Sequence, residues 1–445
     1  MSHRTPAKNV TDPIEGIESA VRGYARLFPT VFESAVGSIL KDTNGRQFID
    51  FFCGAGSLNY GHNNPAAKQA LIDYIESDGI QHSLDTVTKA KVAFLDALSE
   101  VILKPRQLDY KIQFTGPTGT NAVEAAVKLA RKSKRRSHVI AFTHAYHGHS
   151  LGALALTAND YYHSEYYGDR NNVSHLPFDG YLGNQDTSLL LEKMLSDQSS
   201  GLPVPAAIIL ETIQGEGGVN VASVQWLRRI AELCQRHDIL LIVDDIQVGN
   251  GRAGKFFSFE HASITPDIVC LSKSIGGGLP LSLVLIRPEC DAWQPGEHTG
   301  TFRGNNLAFV AATAVLQHWR CGDFESQIAA RGEIVQNYLL ELCQSFGSHS
   351  FSVRGRGMIW GLDVGSGEFA KKVIREAFHR GLLIESSGAD DEVLKVMPAL
   401  TIETDLLVRG LDVLKESIAA VAAEQSAVVI PVFPAVGFSN ASVQA

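Results

Sequence analysis

The chain has 445 residues, 45% hydrophobic and 20% charged, which is enough to bury a large core and excludes a disordered or fibrous polypeptide. Its formal net charge of −9 is scattered rather than gathered, which argues against nucleic acid or an anionic membrane surface as partner and in favour of small molecules. The six cysteines lie far apart with no C-x-x-C pair, the N-terminus has no signal-like apolar stretch, and no window reaches the roughly 18 to 20 apolar residues that span a bilayer. Reduced thiols, a cytoplasmic location and no membrane contact are the expectation.

An α/β chain of this length is expected to divide unequally. We assign residues 1–50 to an N-terminal segment, 51–320 to a large domain, 321–425 to a small C-terminal domain and 426–445 to a tail. The N-terminal segment carries short strand signals at Ser38 to Lys41 and Gln47 to Phe52, around the turn Asp42-Thr43-Asn44-Gly45, and is predicted to pack with the small domain. Further on, glycines and hydroxyls from Phe114 to Asn121 run into an alanine-rich helix reaching Arg131. That is the form of a helix N-terminus that receives a phosphate. It is not a P-loop, since no Gly-Lys-Ser/Thr follows, and not a G-x-G-x-x-G dinucleotide turn. In the next segment, His144-Ala145-Tyr146-His147-Gly148-His149, three imidazoles suggest a metal, but no acid or thiol nearby completes a ligand set. An aromatic stacked on a flat ring explains Tyr146 better.

From Pro205 the chain alternates between apolar strands and crossovers. Strands are predicted at Ala206 to Leu210, Ile239 to Val243, Ile268 to Leu271 and Leu281 to Ile286. Between the first two lies an amphipathic helix with Leu227, Ile230, Leu233 and Cys234 on its apolar face. Continuous apolar strands of this kind form a mostly parallel sheet buried on both faces, and functional groups belong just past the carboxyl ends of its strands. Two motifs sit there. Asp244-Asp245 closes one strand and has the chemistry to hold a protonated ring nitrogen, to bind a metal or to cap a helix. Lys273 follows another strand and opens the loop Gly276-Gly277-Gly278. A lysine is by default a solvated surface residue, but one held in a partly desolvated pocket loses its proton and can bond covalently to an aldehyde such as that of pyridoxal phosphate. Beyond Arg320 the pattern changes to a charged helix near Ala329 to Ser345 and strands near Met358 to Asp363 and Leu394 to Val396. The apolar segment Ala427 to Phe438, broken by Pro431 and Pro434, reads as a docked or frayed terminus rather than a helix.

Six motifs in order, FTGPTGTNAVEAAVKLAR, HAYHGHS, ETIQGEGGV, IVDDIQVGNGRAG, SKSIGGGLP and GTFRGNN, resemble the class III (ω-amino acid) aminotransferases from about Glu33 to Thr404. The resemblance implies the α/β type I fold of pyridoxal 5′-phosphate-dependent transferases, with a mostly parallel central sheet in the large domain and a smaller α+β domain. It implies that Lys273 bonds to the cofactor and shuttles the proton, that Asp244 faces the ring nitrogen with Gln247 at the ring hydroxyl, and that Tyr146 and Ile246 cover the ring. Gly119 and Thr120 would hold the phosphate, Glu211 would lie beside the cofactor, and Thr301 would reach the phosphate of a neighbouring subunit, making the active unit a homodimer. No metal is implied.

Longer stretches, among them GAGSLNYGHNNP and PGEHTGTFRGNNLAFV, are similar to members that transfer the amino group of L-glutamate to L-aspartate 4-semialdehyde, giving L-2,4-diaminobutyrate and 2-oxoglutarate. Glutamate carries a carboxylate on its reacting carbon and the semialdehyde does not, so a fixed cation there would suit only one of them. In several members an acid at the position of Glu216 gates between the two substrates. Many relatives place an arginine where this chain has Lys395, and glycine where it has Arg303, so these two cations are the carboxylate-binding candidates. Other aldehyde acceptors, including those of ornithine and 4-aminobutyrate metabolism, and aminomutase or decarboxylase chemistry on the same fold, remain alternatives.

Overall fold

The computed structural model describes residues 14, 16–168, 170, 172–347 and 349–428. The N-terminal strand signals form an antiparallel meander of β1 (Phe32–Val36), β2 (Ile39–Asp42) and β3 (Gln47–Asp50). Asp42 organises its second turn, accepting hydrogen bonds from the amides of Asn44 and Arg46, each at 2.9 Å.

The central sheet takes β4 (Lys111–Phe114), β5 (Val139–Phe142), β6 (Val173–Leu176) and β7 (Ala207–Leu210). After a small hairpin of β8 (Ile213–Gln214) and β9 (Asn220–Val221) come β10 (Leu240–Asp244), β11 (Ile268–Leu271) and β12 (Leu283–Ile286). The spatial order is β4-β12-β11-β10-β7-β5-β6, and every strand is parallel to the rest except β12. The exception follows from the connection. Residues 272–282 between β11 and β12 contain no crossover helix, so the chain can only return antiparallel.

Side-chain alternation explains why these strands read as unbroken apolar runs. Leu240, Ile242, Ile268 and Cys270 pack under the helix Gly119–Lys134, while Leu241, Val243, Val269 and Leu271 pack on the opposite face with Leu227, Ile230 and Leu233 of the helix Val224–Arg236. Burying each such side chain contributes about 1.5–3 kcal/mol. The second helix is fixed at its start by Ser223, whose hydroxyl accepts from the Trp226 amide at 3.2 Å.

The charged helix expected from Ala329 begins earlier, at Asp323, directly after left-handed Gly322, and runs to Ser345. Beyond it β13 (Ser352–Arg356), β14 (Ile359–Asp363), β16 (Glu385–Ser387) and β17 (Val393–Val396) form a second antiparallel sheet in the order β13-β14-β17-β16. The intervening β15 (Leu382–Leu383) instead joins β3 in parallel. A last helix, Thr404–Val428, continues past Gln425 into the segment read as tail, and residues 429–445 lie outside the described residues.

Arg252 ties these parts together from a fully buried position. Its guanidinium donates to the Met358 carbonyl at 2.9 Å and to Asn59 Oδ1 at 2.6 Å, and also reaches the Pro398 carbonyl. Among the described residues no helix is long and apolar enough to cross a membrane.

Candidate active site

The parallel strands deliver their functional groups at one edge. Glu211 follows β7, Asp244 ends β10, Lys273 lies two residues beyond β11, and the loop after β4 leads into the helix that starts at Gly119.

The two aspartates part company. Asp244 Oδ2 is 2.7 Å from His147 Nδ1, and Oδ1 accepts from the Ile246 amide at 3.2 Å, so both oxygens are oriented in a buried setting. Asp245 turns away to accept from the Ser258 amide at 3.0 Å. Burial pushes its carboxyl up to about 7. Of the pair, only Asp244 is bonded to His147.

Lys273 adopts φ 51°, a left-handed conformation rare for a residue with a side chain. Its neighbours hold it there: Ser272 Oγ donates to the Leu281 carbonyl at 2.9 Å, and Ser274 Oγ donates to the Gly56 carbonyl at 2.7 Å while accepting from the Asn59 amide at 3.0 Å. Desolvation lowers the pKa of the lysine, opposed by the negative charge of Glu216. Those conditions suit a nucleophilic amine.

At the helix start, Asn121 Oδ1 accepts from the amide and hydroxyl of Thr118 at 3.2 and 2.9 Å, which sets the first turn. Thr120 Oγ1 lies 2.6 Å from Ser150 Oγ, which in turn donates to Glu124 at 2.6 Å. A Cβ on Gly119 would stand 3.0 Å from the Ile246 side chain, so glycine lets the helix start close against that residue. The Tyr146 amide donates to Glu211 Oε2 at 3.0 Å, and its ring meets His149 and Tyr162 edge-on at 5.3 and 5.8 Å. Burial and, secondly, the charge of Asp244 raise the pKa of Glu211 well above the usual carboxylate range.

The most densely charged part lies beside these groups. Lys395, fully buried on β17, places Nζ 2.7 Å from Glu216 Oε1 and 3.0 Å from Glu385 Oε1. Glu216 also accepts from Gln247 Nε2 at 2.8 Å, and that nitrogen contacts the Ala55 carbonyl at 3.1 Å. Glu216 is held to about 2 against the opposing effect of burial, chiefly by Lys395 and then Lys273. A cavity of about 380 Å³ reaches Glu216 between Tyr146, Tyr162, Arg170 and Ala389.

Among the described residues no contact draws Thr301 or Arg303 into this cluster. The exposed Thr301 offers its carbonyl to His82 Nε2 at 2.8 Å, and Arg303 pairs with Asp85 at 3.4 Å. The three imidazoles of the histidine motif diverge, His144 towards Tyr181, His147 to Asp244 and His149 to the tyrosines. Among the described residues no three ligating side chains converge on one point.

Sequence reasoning assigns no role to three groups found here. His147 is hidden because its partner lies about a hundred residues away, as the 147-to-244 numbering shows. Glu385 carries a weak signal, an acid directly after the apolar run Leu382 to Ile384. Tyr24 has none, yet its phenol lies against the charged cluster, and burial, then Glu385 and Glu216, raise its pKa.

These residues fit pyridoxal phosphate. Gln247 Oε1 is buried with no hydrogen-bond partner and suits a ring hydroxyl, Asp244 suits a ring nitrogen, and the helix start with Thr120 suits a phosphate.

Comparison with known proteins agrees. The aminotransferase class-III family matches residues 20–418. The diaminobutyrate–2-oxoglutarate transaminase of Wolinella succinogenes is 56% identical over 414 residues, covering 93% of this chain and 97% of the relative. That of Bordetella parapertussis is 54% identical over 413 residues, covering 92% and 95%. Among solved structures, an ornithine aminotransferase from Toxoplasma gondii with pyridoxal phosphate at partial occupancy in its active site superposes with a TM-score of 0.81 at 25% identity, covering 93% and 94%. With its α/β type I architecture and nearly its whole described length matched, the chain belongs to the class-III aminotransferases, enzymes that act on small molecules with pyridoxal phosphate as cofactor.

Proposed function

We propose that this enzyme moves the amino group of L-glutamate to L-aspartate 4-semialdehyde, giving 2-oxoglutarate and L-2,4-diaminobutyrate in two half-reactions. The observation that carries the reading is the Lys395–Glu216 pair at 2.7 Å, a buried cation covered by a carboxylate that is itself reached from a cavity. Uncovered, Lys395 receives the carboxylate on glutamate's reacting carbon. Covered, it presents no bare charge to the aldehyde, which has no carboxylate there. The curated relatives named above for this reaction support the same choice of substrates.

When bound, pyridoxal phosphate supplies an aldehyde that takes up amino groups and a protonated ring that draws electrons from the reacting carbon. Lys273 holds the cofactor and then moves the proton at the substrate carbon. Asp244, oriented by His147, keeps a negative charge at the ring nitrogen. Gln247 serves the ring hydroxyl, Tyr146 and Ile246 cover the ring faces, Glu211 lies beside them, and Gly119 with Thr120 binds the phosphate. Thr301 belongs to the phosphate site of a second copy, with Arg303 two residues on as a further carboxylate ligand there, so the working unit is a homodimer. Unpaired thiols at Cys53, Cys234, Cys270, Cys290, Cys321 and Cys343 support a cytoplasmic address.

The test is an absorbance spectrum of the holoenzyme through both half-reactions. Glutamate should bleach the visible band of the lysine-bound cofactor, and aspartate semialdehyde should restore it with diaminobutyrate as product by mass. Bleaching without recovery refutes this acceptor and points to another aldehyde.

A further inference from the structure

The cation at the gate has two carboxylates, and they are built differently. Glu385 stands directly opposite Lys395 in the antiparallel pairing of β16 and β17, and both residues are buried, 2% and 0% exposed. Its position is fixed by the sheet, and its charge has no path to water. Glu216 comes from the turn between β8 and β9, and its side chain is 22% exposed at the cavity. One partner is therefore permanent and the other exchangeable.

The arrangement answers a problem that a single ion pair would leave. When Glu216 swings aside, a lone buried ammonium would either lose its proton or refuse to release its only partner, because an unpaired charge in such a site is strongly disfavoured. With Glu385 in place, the departure of Glu216 leaves a neutral pair, and an entering carboxylate restores the charge that Glu216 carried. Burial raises the pKa of Glu385, the charge of Lys395 opposes that rise, and the negative charge of Glu216 across the shared lysine adds to it.

We propose that Glu385 is the standing counter-ion of the gate, a positioning residue that keeps Lys395 charged and aimed so that Glu216 can be exchanged for the carboxylate of the amino donor. This rests on the exchangeable Lys395–Glu216 pair proposed above. It does not depend on which aldehyde is the acceptor, because the glutamate half-reaction is complete before the aldehyde binds.

The experiment is single-turnover kinetics of the holoenzyme and of Glu385→Gln with two amino donors. One is glutamate, and the other is diaminobutyrate reacting through its terminal amine, which has no carboxylate on the reacting carbon. The variant should weaken apparent glutamate binding by about tenfold or more while the limiting rate stays within about threefold and the terminal-amine half-reaction within about twofold. Unchanged glutamate binding overturns the proposal. So does an equal loss with both donors, which marks a merely structural role. Should Glu385→Gln fail to load cofactor, Glu385→Asp is read in the same way: a smaller loss confined to glutamate supports the proposal, and a loss shared by both donors overturns it. If wild-type enzyme takes glutamate but not diaminobutyrate, it is the acceptor assignment that fails; another terminal amine accepted by the enzyme then serves as the second donor.

Discussion

Single residues in this protein show how position decides the chemistry of identical side chains. Asp244 and Asp245 are neighbours in sequence, yet one is oriented by His147 and the other is buried against Ser258. Because Asp245 titrates near 7 in the fold and at an ordinary aspartate value when unfolded, the folded state binds more protons between those limits. Its contribution to stability is then full below about pH 4 and is lost as pH rises to about 7. Asp245→Asn retains an oxygen for the Ser258 amide and removes the titration, so melting curves at pH 5 and pH 8 should show the variant gaining on the wild type at pH 8, by up to a few kcal/mol on the order of the linkage limit. An unchanged difference between the two pH values would show that the carboxyl is not protonated in the fold. At this scale the placement of the candidate groups was legible. Asp244 closes one apolar run and Lys273 follows another two residues on, and that edge is where a parallel sheet exposes its groups. Glu385 was much less so, because its role depends on standing opposite a lysine across a three-residue strand.

At the level of elements, the strands and helices followed the apolar pattern closely where a strand is buried on both faces, as at Ile268 to Leu271, where the predicted and observed limits coincide. Direction was harder to read than existence. β12 runs antiparallel because of its short connection, which no side-chain pattern encodes. Nor does the sequence announce the junction at Gly357, where the β13–β14 turn, at φ 61°, presses its backbone against Ala253 and Gly254 beside the Arg252 hydrogen bonds. A side chain there would strike backbone on a residue already left-handed. Gly357→Ala should lower stability by about 2 kcal/mol or more, read as a fall in melting temperature. A variant that melts with the wild type would mean that this junction yields freely.

For the molecule as a whole, the separation of Thr301 from the rest of the site defines a test of shared active sites. Chains carrying Lys273→Ala and chains carrying Thr301→Asp should each be nearly inactive alone. Refolded or expressed together, mixed dimers contain one site with both native residues, and about a quarter of wild-type activity should return. No recovery would confine each active site to its own chain. The left-handed backbone of Lys273 has a consequence for selection on this fold. Any residue with a side chain is disfavoured at that turn by roughly 1 kcal/mol or more relative to glycine. Selection for a sturdy fold alone would drift towards glycine at position 273, three residues before the Gly276-Gly277-Gly278 run, so under the proposed role of Lys273 a lineage freed from catalysis has a ready route to losing this lysine.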